Sequence, residues 1–206
     1  YIKFFFTTFC IITILNGFNF MDGVNGLVSG YIFFILLVVN LISYKTSGVF
    51  NYNEILFVLF IFLIFNVLGK SFLGDNGVYI SAILISYLII NFVNLNTLVS
   101  PIIAVSLFWY PAIENLFTIL RRLFKKKMTY LPDKLHLHSL IYSKINLAFP
   151  INKNSLTGLI INIALIPNFI VTYLFYNQSF YLGISVIIYI IFYVVSYFLL
   201  IKNKLK

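Results

Sequence analysis

Charge is scarce in this chain. Of 206 residues only five are acidic and two are histidine. The one cysteine, Cys10, lies inside an apolar run. A single cysteine excludes a disulfide within the chain and leaves the redox compartment open. Charged residues make up 9% of the chain against 62% hydrophobic ones, and the mean hydropathy is +1.03. A soluble domain of this length could not bury so much apolar surface, so the composition points to an integral membrane protein. The first residues carry no basic stretch leading into a small-residue cleavage site, so no signal peptide is expected at this end. The net charge of +9 fits basic cytoplasmic loops better than nucleic-acid binding, and no nucleic-acid partner is expected.

What is present is a series of apolar runs separated by short polar stretches. Phe4–Leu15 reads as the end of a span. Further spans are expected at Leu27–Ser43, Ile55–Gly69, Val78–Val93, Thr97–Ala112, Leu156–Tyr176 and Phe180–Ile201. The predicted fold is all-α: a polytopic transmembrane helix bundle with about seven spans, forming a single membrane domain over residues 1–206. Pro101 and Pro111 are expected to kink the helix that they enter. With alternating loops, the stretch at 16–27, the turn at 70–77, the basic segment at 114–154 and the C-terminal tail share one side. That side holds every Lys and Arg except Lys3 and Lys45, every acid except Glu54, and both histidines. The positive-inside rule makes it cytoplasmic. Gathering acids and histidines on one face suits an active site better than a channel or a structural bundle.

Three polar constellations lie on that side. The first is Asn16, Asn19, Asp22 and Asn25, threaded with Gly17, Gly23 and Gly26. Such groups can cap a helix end, but four within ten residues suit a site for a polar ligand. The second is Phe72-Leu73-Gly74-Asp75-Asn76-Gly77. It reads either as an Asp-Asn-Gly turn or as a carboxylate ligand for Mg²⁺, an ion that takes one or two carboxylates plus substrate phosphates. The third holds His136 and His138, which would point the same way on an extended segment. A zinc site there lacks a cysteine or a third ligand at suitable spacing. Two imidazoles among Arg121, Arg122, Lys125, Lys126, Lys127 and Lys134 suit a phosphate-rich substrate better.

In this order, NGFNFMDGVNGL, FLGDNG and HLHS resemble the motifs of the polyprenyl-phosphate N-acetylhexosamine-1-phosphate transferases, glycosyl transferase family 4. The resemblance runs from Asn16 to about Lys144. Asn25 stands where many members have Asp, which removes a base or an anionic ligand and is similar to the subgroup that acts in O-antigen or capsule assembly. Val78 replaces a Ser, and Ser139 replaces the second of a histidine pair. The family's adjacent acidic pair is absent, and its place would be upstream of Tyr1. The chain is therefore expected to be a C-terminal fragment, inactive by itself.

The resemblance implies transfer of a sugar-1-phosphate from a UDP-N-acetylhexosamine to undecaprenyl or another polyprenyl phosphate. UMP is released, and the reaction takes place at the cytoplasmic face of the bacterial inner membrane. It implies Mg²⁺, with Mn²⁺ as a substitute, held by Asp75. Asp22, Asp75, His136 and His138 would be the catalytic residues, the histidines contacting phosphate oxygens as imidazolium. Asn16, Asn19, Asn25, Phe72, Arg122 and Lys134 would bind substrate, with Phe72 stacking on the uracil. A homodimer is compatible with this reading. The competing reading is a degenerate, non-enzymatic membrane protein.

Overall fold

A computed structural model describes residues 1–46, 51–124, 135–145 and 152–202. The described residues form eight helices: α1 (Ile2–Met21), α2 (Leu27–Thr46), α3 (Asn53–Val67), α4 (Gly74–Leu95), α5 (Ile102–Phe124), α6 (Leu137–Lys144), α7 (Lys153–Leu174) and α8 (Ser179–Lys202). Six of them, all but α3 and α6, are long and apolar enough to cross a membrane. The protein is thus an all-helical, multi-pass bundle. The expected span at Ile55–Gly69 is the fifteen-residue helix α3. At 1.5 Å per residue it rises only about 22 Å, short of a bilayer core.

Several boundaries differ from the apolar runs. Helix α1 does not stop at Leu15 but continues through Asn16 and Asn19 to Met21. Gly17 makes this possible, since a Cβ there would overlap the Pro111 carbonyl of α5. The two backbones meet at that point, and α1 continues four residues beyond it to Met21. Helix α4 begins at Gly74, so Asp75 sits in its first turn and not in a free loop. There the helix dipole favours an acid. Helix α5 runs past Ala112 to Phe124 and carries Arg121 and Arg122 in its last turn.

Pro101 precedes α5, whereas Pro111 lies inside it. A proline has no N–H for the carbonyl four residues earlier, here that of Leu107. The hydroxyl of Tyr31, fully buried on α2, donates to that carbonyl at 2.7 Å. The gap in the ladder is filled from a neighbouring helix, as the absence of water in a bilayer demands.

Helix α2 is the most enclosed of the six long helices, with α7 against it. Asn162 of α7 donates to the Gly26 carbonyl at 2.8 Å, and Asn168 of α7 donates to that of Ser106 at 3.0 Å. Such hydrogen bonds hold apolar helices together where the hydrophobic effect cannot. Large apolar side chains such as Phe57, Ile83, Ile187 and Phe198 cover the outside.

The bundle has two polar ends. At one, Asn96 donates to Thr46 at 2.6 Å and Ser100 meets Ser179 at 2.7 Å. Lys45 lies there too, over the rings of Tyr173 and Tyr176. At the other end the C-termini of α1, α3 and α5 meet the N-termini of α2, α4 and α7, with α6 beside them. The alternating-loop expectation places these segments on one side; residues 125–134, 146–151 and the tail 203–206, which belong to the same expectation, lie outside the described residues.

Candidate active site

Asp22 caps the end of α1, its backbone N–H reaching the carbonyls of Asn19 and Phe18. One turn back, the Asn19 amide donates to Asp75 Oδ1 at 3.4 Å, so the first and second motifs touch. Asp22 is exposed to solvent. Its neighbourhood still removes enough water to push its carboxyl above the usual range, and the charge of Asp75 adds to the effect. Two neighbouring carboxylates that repel one another are suited to a shared cation; Asp22 lines the adjoining cleft, whereas Asp75 and Asn19 lie beside it. Among the described residues no cluster of three or more His, Cys, Asp or Glu could hold a metal by itself.

The cleft above these groups has a volume of about 250 Å³ and is lined by Asp22, Gly23, Asn25, Asn66, Phe72 and Asn154, among others. Asn25 is buried in its floor, and its backbone N–H donates to Asn154 Oδ1 at 3.3 Å. Phe72 stands at the rim, 71% exposed. Asn16 is half-buried one turn deeper in α1 and lines neither this cleft nor the next.

A second cleft, of about 450 Å³, is lined by Gly23, Val24, His138, Ser139, Tyr142, Ser143 and Asn154. Gly23, Val24 and Asn154 belong to both. The histidines are not on one extended segment. His136 is the extended N-cap of α6 and His138 lies in its first turn. Their rings still face each other, 5.6 Å apart and 5° from parallel. Gly23 admits this arrangement, because a Cβ there would overlap His138 Nε2. His138 is buried, and its Nδ1 has no hydrogen-bond partner among the described residues. Burial pushes the His138 imidazole down to about 4, against an upward pull from Glu114; the charge of His136 adds a smaller downward push. Burial thus favours the neutral ring of His138, where the resemblance implied an imidazolium. Arg122 is buried with its guanidinium 5.9 Å from the Phe20 ring, and Phe20 in turn lies 5.1 Å from the His136 ring. Lys134 lies outside the described residues.

Three participants were not legible as site residues. Glu114, fully buried on α5, stands 3.4 Å from His136 Nδ1. An acid in the middle of an apolar helix is the signal that could have revealed it. Asn66 Oδ1 accepts from the Gly26 N–H and from the Ser29 hydroxyl, both at 2.8 Å, and its amide donates to the Ser71 carbonyl. It ties α2, α3 and the turn before α4 into one piece. Asn154 joins the two clefts from the start of α7.

Comparison with known proteins agrees with the motifs. The model of glycosyl transferase family 4 matches residues 1–93. The chain is 28% identical over 142 residues to the probable undecaprenyl-phosphate N-acetylglucosaminyl 1-phosphate transferase of Bacillus subtilis, which covers 64% of this chain and 38% of that one. It is 27% identical over 147 residues to the undecaprenyl-phosphate alpha-N-acetylglucosaminyl 1-phosphate transferase of Escherichia coli K12, covering 67% and 40% of the two chains. The matched region thus spans about two fifths of the length of these relatives. No solved structure matches the chain. By its motifs and by these matches, the family that this chain resembles is glycosyl transferase family 4.

Proposed function

We propose that the protein takes part in the transfer of a sugar-1-phosphate from a UDP-N-acetylhexosamine to a polyprenyl phosphate, with release of UMP, at the cytoplasmic face of the bacterial inner membrane. The observation that carries this reading is the Asn19–Asp75 contact, which joins two distant motifs at one end of the bundle, beside a cleft that Asp22, Asn25 and Phe72 line. The relatives named above act on undecaprenyl phosphate, which supports the lipid acceptor.

In the reaction an oxygen of the lipid phosphate attacks the sugar-bearing phosphorus of the UDP-sugar. The bond from that phosphorus to the bridging oxygen breaks, and the bridging oxygen leaves with UMP. A phosphate anion is already a nucleophile, so placement and charge compensation supply most of the catalysis. Asp75, with Asp22 beside it, fits a hard, largely hydrated ion such as Mg²⁺, with Mn²⁺ as a substitute, better than any caged metal. When bound, the ion neutralises the diphosphate and the charge on the leaving UMP.

The chain's own residues position the rest. Asn19 orients Asp75 through its amide. Asp22 and Asn25 offer polar groups to the nucleotide-sugar, and Phe72 at the rim offers a ring face to uracil. The neutral His138 contacts a phosphate oxygen from the second cleft, and His136, which lies buried beside that cleft and stacks on His138, contacts another, with Arg122 behind Phe20 contributing positive charge. Lys134 belongs to the same proposed substrate-binding set. The test is UMP release from UDP-N-acetylglucosamine by the complete gene product in membranes supplied with polyprenyl phosphate. Release that depends on the lipid supports the reading, and its absence with well-folded protein rejects it.

A further inference from the structure

Glu114 lies within α5, a helix apolar enough to cross a membrane, and is fully buried. A carboxylate in such a place requires partners. The hydroxyl of Tyr110, one turn earlier on α5, donates to its Oε1 at 3.5 Å. Tyr193 of α8 brings a second phenol into hydrogen-bond reach. On the remaining side, Oε2 stands 3.4 Å from Nδ1 of His136, the residue that starts α6. The neighbouring charged or titratable groups are His138 of α6, stacked on His136, with Arg121 and Arg122 a few residues further along α5. Arg121 donates to the Leu135 carbonyl at 2.6 Å and to Tyr197 of α8 at 2.8 Å, which pins the segment leading into His136.

We propose that Glu114 is a positioning residue for His136: its carboxylate accepts the Nδ1–H bond, fixes the Nδ1–H tautomer, and leaves Nε2 as the one ring nitrogen offered to a phosphate oxygen. The inference rests on the reading of His136 as a phosphate contact and extends it. Free histidine favours the other tautomer, with the proton on Nε2, so the carboxylate selects against the intrinsic preference. When Nε2 takes up a proton, its N–H can donate to phosphate while Glu114 balances the new charge inside the bundle. If Glu114 were instead a neutral acid, its O–H would donate to Nδ1 and the ring would carry its proton on Nε2. The two arrangements are opposites and can be told apart.

The chain has only two histidines, which makes ¹⁵N-histidine spectra of the protein in lipid nanodiscs simple to assign with a His138→Gln variant. The spectrum is read at a pH of about 8.5, well above the ordinary histidine range. The expected result is a protonated Nδ1 and a bare Nε2 on His136, turning into a mixture of tautomers in Glu114→Gln, whose amide can either donate or accept. A wild-type His136 with its proton on Nε2 overturns the proposal, and this needs no variant to fold. An unchanged tautomer in a folded Glu114→Leu, which offers no acceptor, overturns it as well. The spectrum is taken without substrate, so it stands or falls separately from the transferase reading.

Discussion

The amide of Asn19, near the end of α1, donates to the carboxylate of Asp75, in the first turn of α4, across 56 residues of sequence. This bond sets the geometry of the candidate site. It couples the end of one spanning helix to the start of another and leaves Asp22 facing a second negative charge. Neighbouring pieces are held by contacts of another kind, in which a short polar side chain bonds to the backbone of another element. The following variants separate the contacts that build the site from those that would act within it.

Asn66 satisfies three groups on α2 and the turn before α4. Replacing it with Leu strands the Gly26 N–H, the Ser29 hydroxyl and the Ser71 carbonyl. Asn66→Leu should destabilise the protein by about 2–4 kcal/mol, mostly through buried unpaired polar groups. Thermal unfolding in detergent measures this, with Asn66→Asp expected to fall between Leu and wild type, because it keeps both acceptor contacts.

Gly23 lies against His138, with no room for a Cβ. Gly23→Ala should displace the imidazole while leaving the helices in place. A shift on the order of 1 Å at a reacting centre can reduce turnover about 100-fold. The expected outcome is a large loss of UMP release with the helical circular-dichroism signal retained. Wild-type turnover in Gly23→Ala would show that the position of His138 does not matter.

Burial lowers the His138 proton affinity in the folded state to about 4, from 6.5 in a free chain. The unfolded chain then takes up a proton before the folded one does. The sign follows: the ring has no effect on stability above pH 6.5, and stability falls as the pH drops from 6.5 towards 4. The full loss amounts to about 3 kcal/mol, at 1.36 kcal/mol per pH unit. Thermal melts at pH 7.5 and pH 5 should differ more for wild type than for His138→Gln.

The apolar runs and the placement of Lys and Arg were enough to read the helical class and the grouping of helix ends. Both rest on side-chain partitioning, which is local in sequence. The close packing of α1 on α5 was not legible, because the contact of Gly17 with the Pro111 backbone lies 94 positions away in the chain (111 − 17). The Asp75 turn looked like a loop because Gly, Asp and Asn disfavour helix interiors, yet all three are tolerated in a first helical turn. The motifs pointed to Asp22, Asp75, His136 and His138, which do gather at one end. Glu114 stayed hidden because its partner His136 arrives from a separate segment, and the burial that keeps His138 neutral is a property of the packed α6.

We propose that Asp75 anchors a divalent ion at a sugar-phosphate transfer site. It is tested most directly by UMP release at increasing Mg²⁺, comparing the wild-type gene product with Asp75→Asn in membranes containing polyprenyl phosphate and UDP-N-acetylglucosamine. The account predicts Mg²⁺-dependent release from wild type and none from the variant at any Mg²⁺ concentration, with the fold intact by circular dichroism. Near-wild-type, Mg²⁺-dependent release from a well-folded Asp75→Asn protein would contradict it.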